Sequence, residues 1–325
     1  MLGAGSWGTA LAIQFARAGH PVVLWGRDRE HLAAVAAARR NVRYLPDAEL
    51  PRGLEVEPDL AAAVAGADDV LIVVPSHAFR AMLEALAGLP VQRLAWATKG
   101  FELDTGLLPY QVVEQIFSPA LPTAVLSGPT FAREVGAGLP SAMTIASTHA
   151  DYARRLAESI STDVFRAYTS TDVVGVEVGG ATKNVFAIGA GISDGLGFGA
   201  NTRIALITRG LAEMTRLGLA LGGRQETFMG LAGMGDLVLT CTDDQSRNRR
   251  FGLALARGAT VEEARRQIGQ VVEGLNGARA VRDVAARLNV AMPIIEQLHK
   301  VLHEGLSPRA AVAALMSRPI APEQR

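Results

Sequence analysis

The chain has 325 residues, enough for two domains each with its own core. Its 32 basic and 32 acidic side chains cancel, so no global field draws nucleic acid or an anionic membrane, and any anion site has to be local. The single cysteine, Cys241, excludes an internal disulfide, and no uncharged apolar run reaches the roughly 18 residues that would span a bilayer.

Met1 to Ala16 has the apolarity of a signal-peptide core, but no basic residue precedes it and its glycines have another use. Gly3-Ala4-Gly5-Ser6-Trp7-Gly8 matches G-x-G-x-x-G, in which glycines permit a tight turn and let a pyrophosphate approach a helix N-terminus. Thr9 to Ala18 continues as that helix and ends at Gly19. Pro21 to Trp25 reads as the following strand, which makes the unit βαβ-like; a glycine-rich turn without a ligand is the alternative. Only Met1 and Leu2 precede Gly3, too few for a strand, so a truncated or misassigned start is expected.

Beyond that strand lie Gly26-Arg27-Asp28, where a dinucleotide's ribose belongs. An acid there suits the ribose hydroxyls of NAD, whereas Arg27 suits the 2′-phosphate of NADP or is simply a solvated turn residue. Glu30 to Arg39 reads as a helix. Leu54–Val56, Asp69–Pro75, Leu94–Thr98 and Thr123–Ser127 read as strands, with Ala142–Ala146 and Val164–Tyr168 as shorter ones. Their alternation with Ala-rich helices predicts an α/β Rossmann-type doubly wound sheet over residues 1–171. Ligands of such sheets bind beyond the strand ends, where Lys99 and Gly128-Pro129-Thr130-Phe131-Ala132 lie; a lone lysine there is equally a surface residue.

From about Asp172 strand signals vanish, and residues 172–325 are expected to form an all-α domain. Ile204, Ile207, Leu211 and Met214 recur at helical spacing, Asn201 reads as an N-cap, Thr260 and Glu263 as a capping box, and Pro308 as a first helical residue. No linker separates the halves, so they should be tightly apposed. Within the apolar run Gly179 to Gly191 stands one charge, Lys183. Either its stem covers apolar surface while its head reaches water, or its ammonium is paired and used. Asp236 sits beside glycines, and Ser246-Arg247-Asn248-Arg249-Arg250 gathers donors suited to a phosphate or to a basic surface turn.

Taken in order, the phosphate loop, Ala97-Thr98-Lys99-Gly100, Ser127-Gly128-Pro129-Thr130-Phe131-Ala132, Lys183-Asn184 and Ser246-Arg247-Asn248-Arg249 make the chain resemble the bacterial NAD(P)-dependent glycerol-3-phosphate dehydrogenases over essentially its whole length. The resemblance implies reversible hydride transfer from NADPH or NADH to dihydroxyacetone phosphate, giving sn-glycerol 3-phosphate for phospholipid synthesis in the cytoplasm. It implies Lys183 as the catalytic residue. Gly3, Gly5, Ser6, Trp7, Gly8, Arg27, Lys99, Ala132, Arg247, Val271 and Glu273 match cofactor positions. Lys99, Gly128, Thr130, Lys183, Asp236, Ser246, Arg247 and Asn248 match substrate positions.

The residue types suit that chemistry: an ammonium beside the ketone oxygen stabilises the growing negative charge and supplies the proton. Asp236 either orients Lys183 or holds a substrate hydroxyl. No metal-ligand spacing occurs, and the expected partners are a small-molecule substrate and, as an assembly, a homodimer. Two other readings are a β-hydroxyacid dehydrogenase of related architecture, which would have to hold a carboxylate, and a dinucleotide-binding redox sensor, which has no need of Lys183. If Arg27 reads a 2′-phosphate, Arg27→Ala weakens NADPH binding more than NADH binding; equal losses in fluorescence titrations would remove it from that role.

Overall fold

Continuous apolar runs have to be covered on both faces, and those of the first half become short buried strands. In the computed structural model, which describes residues 1–320, 322 and 323, the strands are β1 (Val22–Leu24), β2 (Arg40–Asn41), β3 (Leu45–Glu49), β4 (Leu54–Val56), β5 (Val70–Ile72), β6 (Leu94–Trp96), β7 (Thr123–Ser127), β8 (Ser141–Ala146) and β9 (Phe165–Ser170). β1 pairs parallel with β4, while β5, β6 and β7 pair parallel in turn. Leu2 joins the two groups by parallel bridges to Trp25 and Ile72, so the residues ahead of Gly3 lie between β1 and β5.

The doubly wound sheet is therefore present, with a difference at one end. β8 runs antiparallel to β7, and β9 follows β8, so the last two strands oppose the rest. The intervening helix, Ala132–Ala137, has 6 residues. At 1.5 Å per residue that is about 9 Å, short of the roughly 17 Å that β7 covers, and the chain pairs before it has returned along the sheet. A second feature that the apolar pattern did not announce is the antiparallel pair β2–β3, which is short and mostly polar. Helices cover both faces of the sheet, building one core around Leu11, Ile13, Leu126 and Ile145 and another around Ile72, Leu83, Leu94 and Trp96.

The second half winds around one helix, Val173–Gly195, whose residues from Gly175 to Ser193 are all buried. Asp172 caps it by accepting the Gly175 N–H at 2.8 Å. Such burial of nearly a whole helix needs neighbours on every side, and small residues let them come close. A Cβ on Gly191 would strike the carbonyl of Arg249, and one on Gly252 the carbonyl of Ile188, so the helix Arg247–Ala256 lies backbone to backbone against the central helix.

The capping box at Thr260 and Glu263 and the helix start at Pro308 form as expected. Asn201 does not cap its helix, which begins at Ala200 behind Gly199. The expected helical range 172–325 includes 321, 324 and 325, which lie outside the described residues. No helix among the described residues is long and apolar enough to cross a membrane.

Gly252→Ala forces these two backbones apart and should cost about 1–3 kcal/mol. Gly88, around which a Cβ meets nothing, is the control, with an expected change within about 0.5 kcal/mol on substitution to alanine. Thermal unfolding of the two variants checks the difference.

Candidate active site

The phosphate loop folds as its glycines allow. Gly3 adopts φ +127 with the Val73 carbonyl where a Cβ would stand, and Gly8 packs onto the Gly3 carbonyl. Gly5, by contrast, has nothing within 4 Å of that position. The helix Ser6–Arg17 starts there with no side-chain cap and no acid in its first turn. A helix N-terminus left uncapped, behind a glycine that leaves space, fits a pyrophosphate.

Ser6 and Trp7 open onto a cleft of about 590 Å³ between the two halves of the chain. Near its centre, Lys183 and Lys99 share one carboxylate. Lys183 Nζ donates to Asp236 Oδ1, and Lys99 Nζ donates to Asp236 Oδ2 at 2.7 Å. Asp236 is 1% exposed and Lys183 8%, so neither side chain is a surface charge. Asp236 begins the helix Asp236–Thr242, directly after a π-helical turn at Leu231–Gly235. Thr240, one turn on, donates its hydroxyl to the Asp236 carbonyl at 2.6 Å. Lys99 reaches the pair across the central helix because Gly180 leaves room for its stem.

Burial above all, with neighbouring Lys99, outweighs the raising effect of Asp236 and brings the Lys183 ammonium down to about 8. Two ammoniums against one carboxylate leave this part of the cleft with a net positive charge. That is where an anion is attracted and where a lysine can exchange a proton near neutral pH.

The next residue of the central helix anchors a second group of donors. Asn184 Nδ2 donates to Glu273 Oε2 at 2.9 Å, Asn248 Nδ2 to Asn184 Oδ1 at 2.9 Å, and the Gly274 N–H to Asn248 Oδ1 at 2.9 Å. This chain fixes three elements side by side and leaves Asn248 one amide hydrogen to offer. Ser246 caps its helix by accepting the Arg249 N–H, which leaves its O–H free to donate. Among the described residues Arg247 is bound at one end, Nη1 to Gln270 Oε1 at 3.2 Å. Arg249, grouped by sequence with the anion-binding donors, is instead spent on Asp194 (2.6 Å) and Asp244.

Of the residues expected at the site, Ser6, Trp7, Lys99, Thr130, Ala132, Lys183, Asp236, Ser246, Arg247, Asn248 and Glu273 line this cleft together. Gly3, Gly5 and Gly8 shape the loop beneath it. Gly128 lies under the wall, pressed against Met143, and Val271 and Arg27 are exposed outside the lining. Several lining residues escaped the sequence reading, among them Tyr44, Thr240 and Gln270, while Asn184 entered it only as part of the Lys183-Asn184 motif. Thr240 carried a usable signal, since it stands four residues from Asp236 on one helix face; Tyr44 and Gln270 lie on loops with none.

Sequence profiles agree with this geometry: the NAD-dependent glycerol-3-phosphate dehydrogenase N-terminus matches residues 1–153 and its C-terminus residues 172–313. The chain belongs to this glycerol-3-phosphate dehydrogenase family. It is 57% identical over 325 residues to a glycerol-3-phosphate dehydrogenase (NAD(P)+) of Thioalkalivibrio sulfidiphilus, covering 99% of this chain and 98% of that one. It is 54% identical over 321 residues to the protein of the same name from Aeromonas salmonicida, covering 98% and 96%. The crystal structure of glycerol-3-phosphate dehydrogenase from Coxiella burnetii superposes with a TM-score of 0.94 at 47% identity, covering 98% of each chain.

Asp236→Asn removes the only anion between the two ammoniums. Lys183 then loses its proton at lower pH, so its acylation by an amine-reactive reagent at neutral pH, followed by mass spectrometry, becomes faster than in the unaltered protein. Breaking the pair should also cost about 3 kcal/mol of stability.

Proposed function

We propose that this chain, a member of the glycerol-3-phosphate dehydrogenase family, catalyses the reversible NAD(P)H-dependent reduction of dihydroxyacetone phosphate to sn-glycerol 3-phosphate, a reaction that supplies glycerophospholipid synthesis. The observation that carries the reading is the placement of Lys183, held by Asp236 in a cleft with the phosphate loop on one wall and the Ser246–Asn248 donors on another.

When bound, the nicotinamide supplies the hydride. Lys183 faces the ketone oxygen, stabilises the negative charge that grows on it and donates the proton that completes the alcohol; in reverse it takes that proton back. Asp236 holds Lys183 in place and raises its proton affinity enough to keep it an acid near neutral pH. Arg247, Asn248 and Ser246 hold the substrate phosphate, and Lys99, Gly128 and Thr130 complete the substrate site. The cofactor is held by Gly3, Gly5, Ser6, Trp7 and Gly8 at the pyrophosphate, by Arg27 at the ribose, by Lys99, Ala132, Arg247 and Glu273 along the cleft, and by Val271 outside its lining.

The dinucleotide-binding domain is taken as residues 1–171 and the helical domain as 172–325. The assembly we propose is a homodimer, testable by sedimentation equilibrium, and the compartment is the cytoplasm.

Two measurements test the mechanism. Lys183→Ala should lower kcat/KM for dihydroxyacetone phosphate by about 10²–10⁴-fold while NADPH still binds; undiminished turnover would remove Lys183 from the chemistry. In the unaltered protein, kcat/KM for reduction depends on protonated Lys183, so it holds level below a pH of about 8 and falls above it. For oxidation of glycerol 3-phosphate the dependence inverts, rising through the same pH. Profiles that move in the same direction would assign the proton to another group.

A further inference from the structure

The ground just beyond β1 carries more charge than one ribose-reading arginine requires. Asn41, fully buried at the start of the β2–β3 hairpin, donates to the Ala4 carbonyl at 3.0 Å and to the Thr9 hydroxyl at 2.8 Å. Its own oxygen accepts the Tyr44 N–H at 3.2 Å. These bonds clamp the hairpin turn, Asn41 to Tyr44, against the phosphate loop. Tyr44 consequently lines the same cleft as Ser6 and Trp7.

Arg43, the residue before it, stacks its guanidinium 5.1 Å from the centroid of the Tyr44 ring. The same guanidinium stands 3.6 Å from Asp28 Oδ2. Asp28 is the acid next to Arg27, and its other oxygen accepts the His31 N–H at 3.0 Å to cap the helix Arg29–Ala38. Both carboxylate oxygens are thus engaged, one by a helix and one by a cation. Such an acid is a poor acceptor for a free ribose diol and no longer an uncompensated repulsion toward a phosphate. With Arg27 next to it in the chain and Arg43 against its Oδ2, the local balance is two cations to one anion.

We infer that Arg43 is a second reader of the adenosine 2′-phosphate, acting with Arg27 to select NADPH over NADH. The inference rests on the dinucleotide site proposed above. A phosphate dianion is matched by two guanidiniums better than by one, and the planar group stacked on Tyr44 is held ready to donate. Asp28 is its partner when no phosphate is bound.

The experiment is calorimetric titration with two adenosine probes of two phosphates each, 2′,5′-ADP, whose second phosphate is on the 2′ position, and ADP, whose second phosphate extends the 5′ end, so that only the first presents a 2′-phosphate. Arg43→Ala should weaken 2′,5′-ADP about tenfold or more and change ADP by less than about twofold. Arg43→Lys, which keeps the charge without the stacked plane, should fall between. Asp28→Asn preserves the helix cap, removes the competing anion and should tighten 2′,5′-ADP. Equal effects on both probes, or none, would overturn the inference; if Arg43→Ala unfolds, Asp28→Asn without a gain overturns it. An unaltered protein that binds neither probe would defeat the dinucleotide reading itself. One that binds ADP and reduces dihydroxyacetone phosphate while ignoring Arg43→Ala would leave that reading standing and remove only this one.

Discussion

One carboxylate shared by two ammoniums organises this molecule. Asp236 is almost inaccessible, and a lone buried carboxylate would be costly; so would a lone buried lysine. Placed together, Lys183, Asp236 and Lys99 cost less than they would apart, and the surplus positive charge faces the cleft. Each member comes from a different element: the central helix, the helix that follows the π-turn, and the loop after β6. The contact therefore fixes the helical half against the sheet half. The same cluster sets the proton affinity of Lys183, so the interaction that joins the domains also sets the chemistry of the gap between them.

The central helix has to be thin for this to work. Lys99 passes over Gly180, the Ala232 carbonyl comes up to Gly179, and the helix Arg247–Ala256 lies against Gly191. A side chain at Gly179 or Gly191 would push away an element next to or carrying a site residue, and one at Gly180 would crowd the Lys99 stem. The run of small residues around Lys183 is thus a packing requirement imposed by the site. The lysine is the exception because its ammonium has a carboxylate to meet.

Much of this was readable beforehand for a physical reason: local constraints leave local marks. The glycines around Ser6 and Trp7, the apolar strands and the isolated Lys183 each announce themselves within a few residues. Partners distant in the chain leave no such mark. Lys183 and Asp236 are 53 positions apart, and nothing in either neighbourhood says which of two roles Asp236 takes. Arg249 looked like an anion donor beside Arg247, yet its guanidinium is absorbed by Asp194 from the central helix. The antiparallel β8 depends on how far a short helix carries the chain, and the β2–β3 hairpin depends on Asn41 reaching the phosphate loop. Neither is a matter of periodicity.

Carboxylates resolve another problem that the helical half creates for itself. The helix Pro109–Ile116 begins behind Leu108 and the helix Pro293–His303 behind Met292, residues that cannot cap with a side chain. Glu177 of the central helix accepts the Tyr110 N–H at 3.1 Å, together with the Trp96 indole N–H at 2.7 Å. Glu213 accepts the N–H groups of Ile294 and Ile295 at 2.8 and 3.3 Å. Burial pushes these carboxyls up, to about 8 and about 7, while the donated N–H groups pull the other way. Each remains because it satisfies helix-end donors that would otherwise be buried without acceptors. Asp172 does the same at the head of the central helix, accepting from Gly175, Arg224 and Thr227. A carboxyl acceptor at the end of a helix, most often supplied across space by another element, is therefore a recurring device of the fold. At Asp236 the same residue class is turned from holding backbone to holding ammonium, and the site arises there.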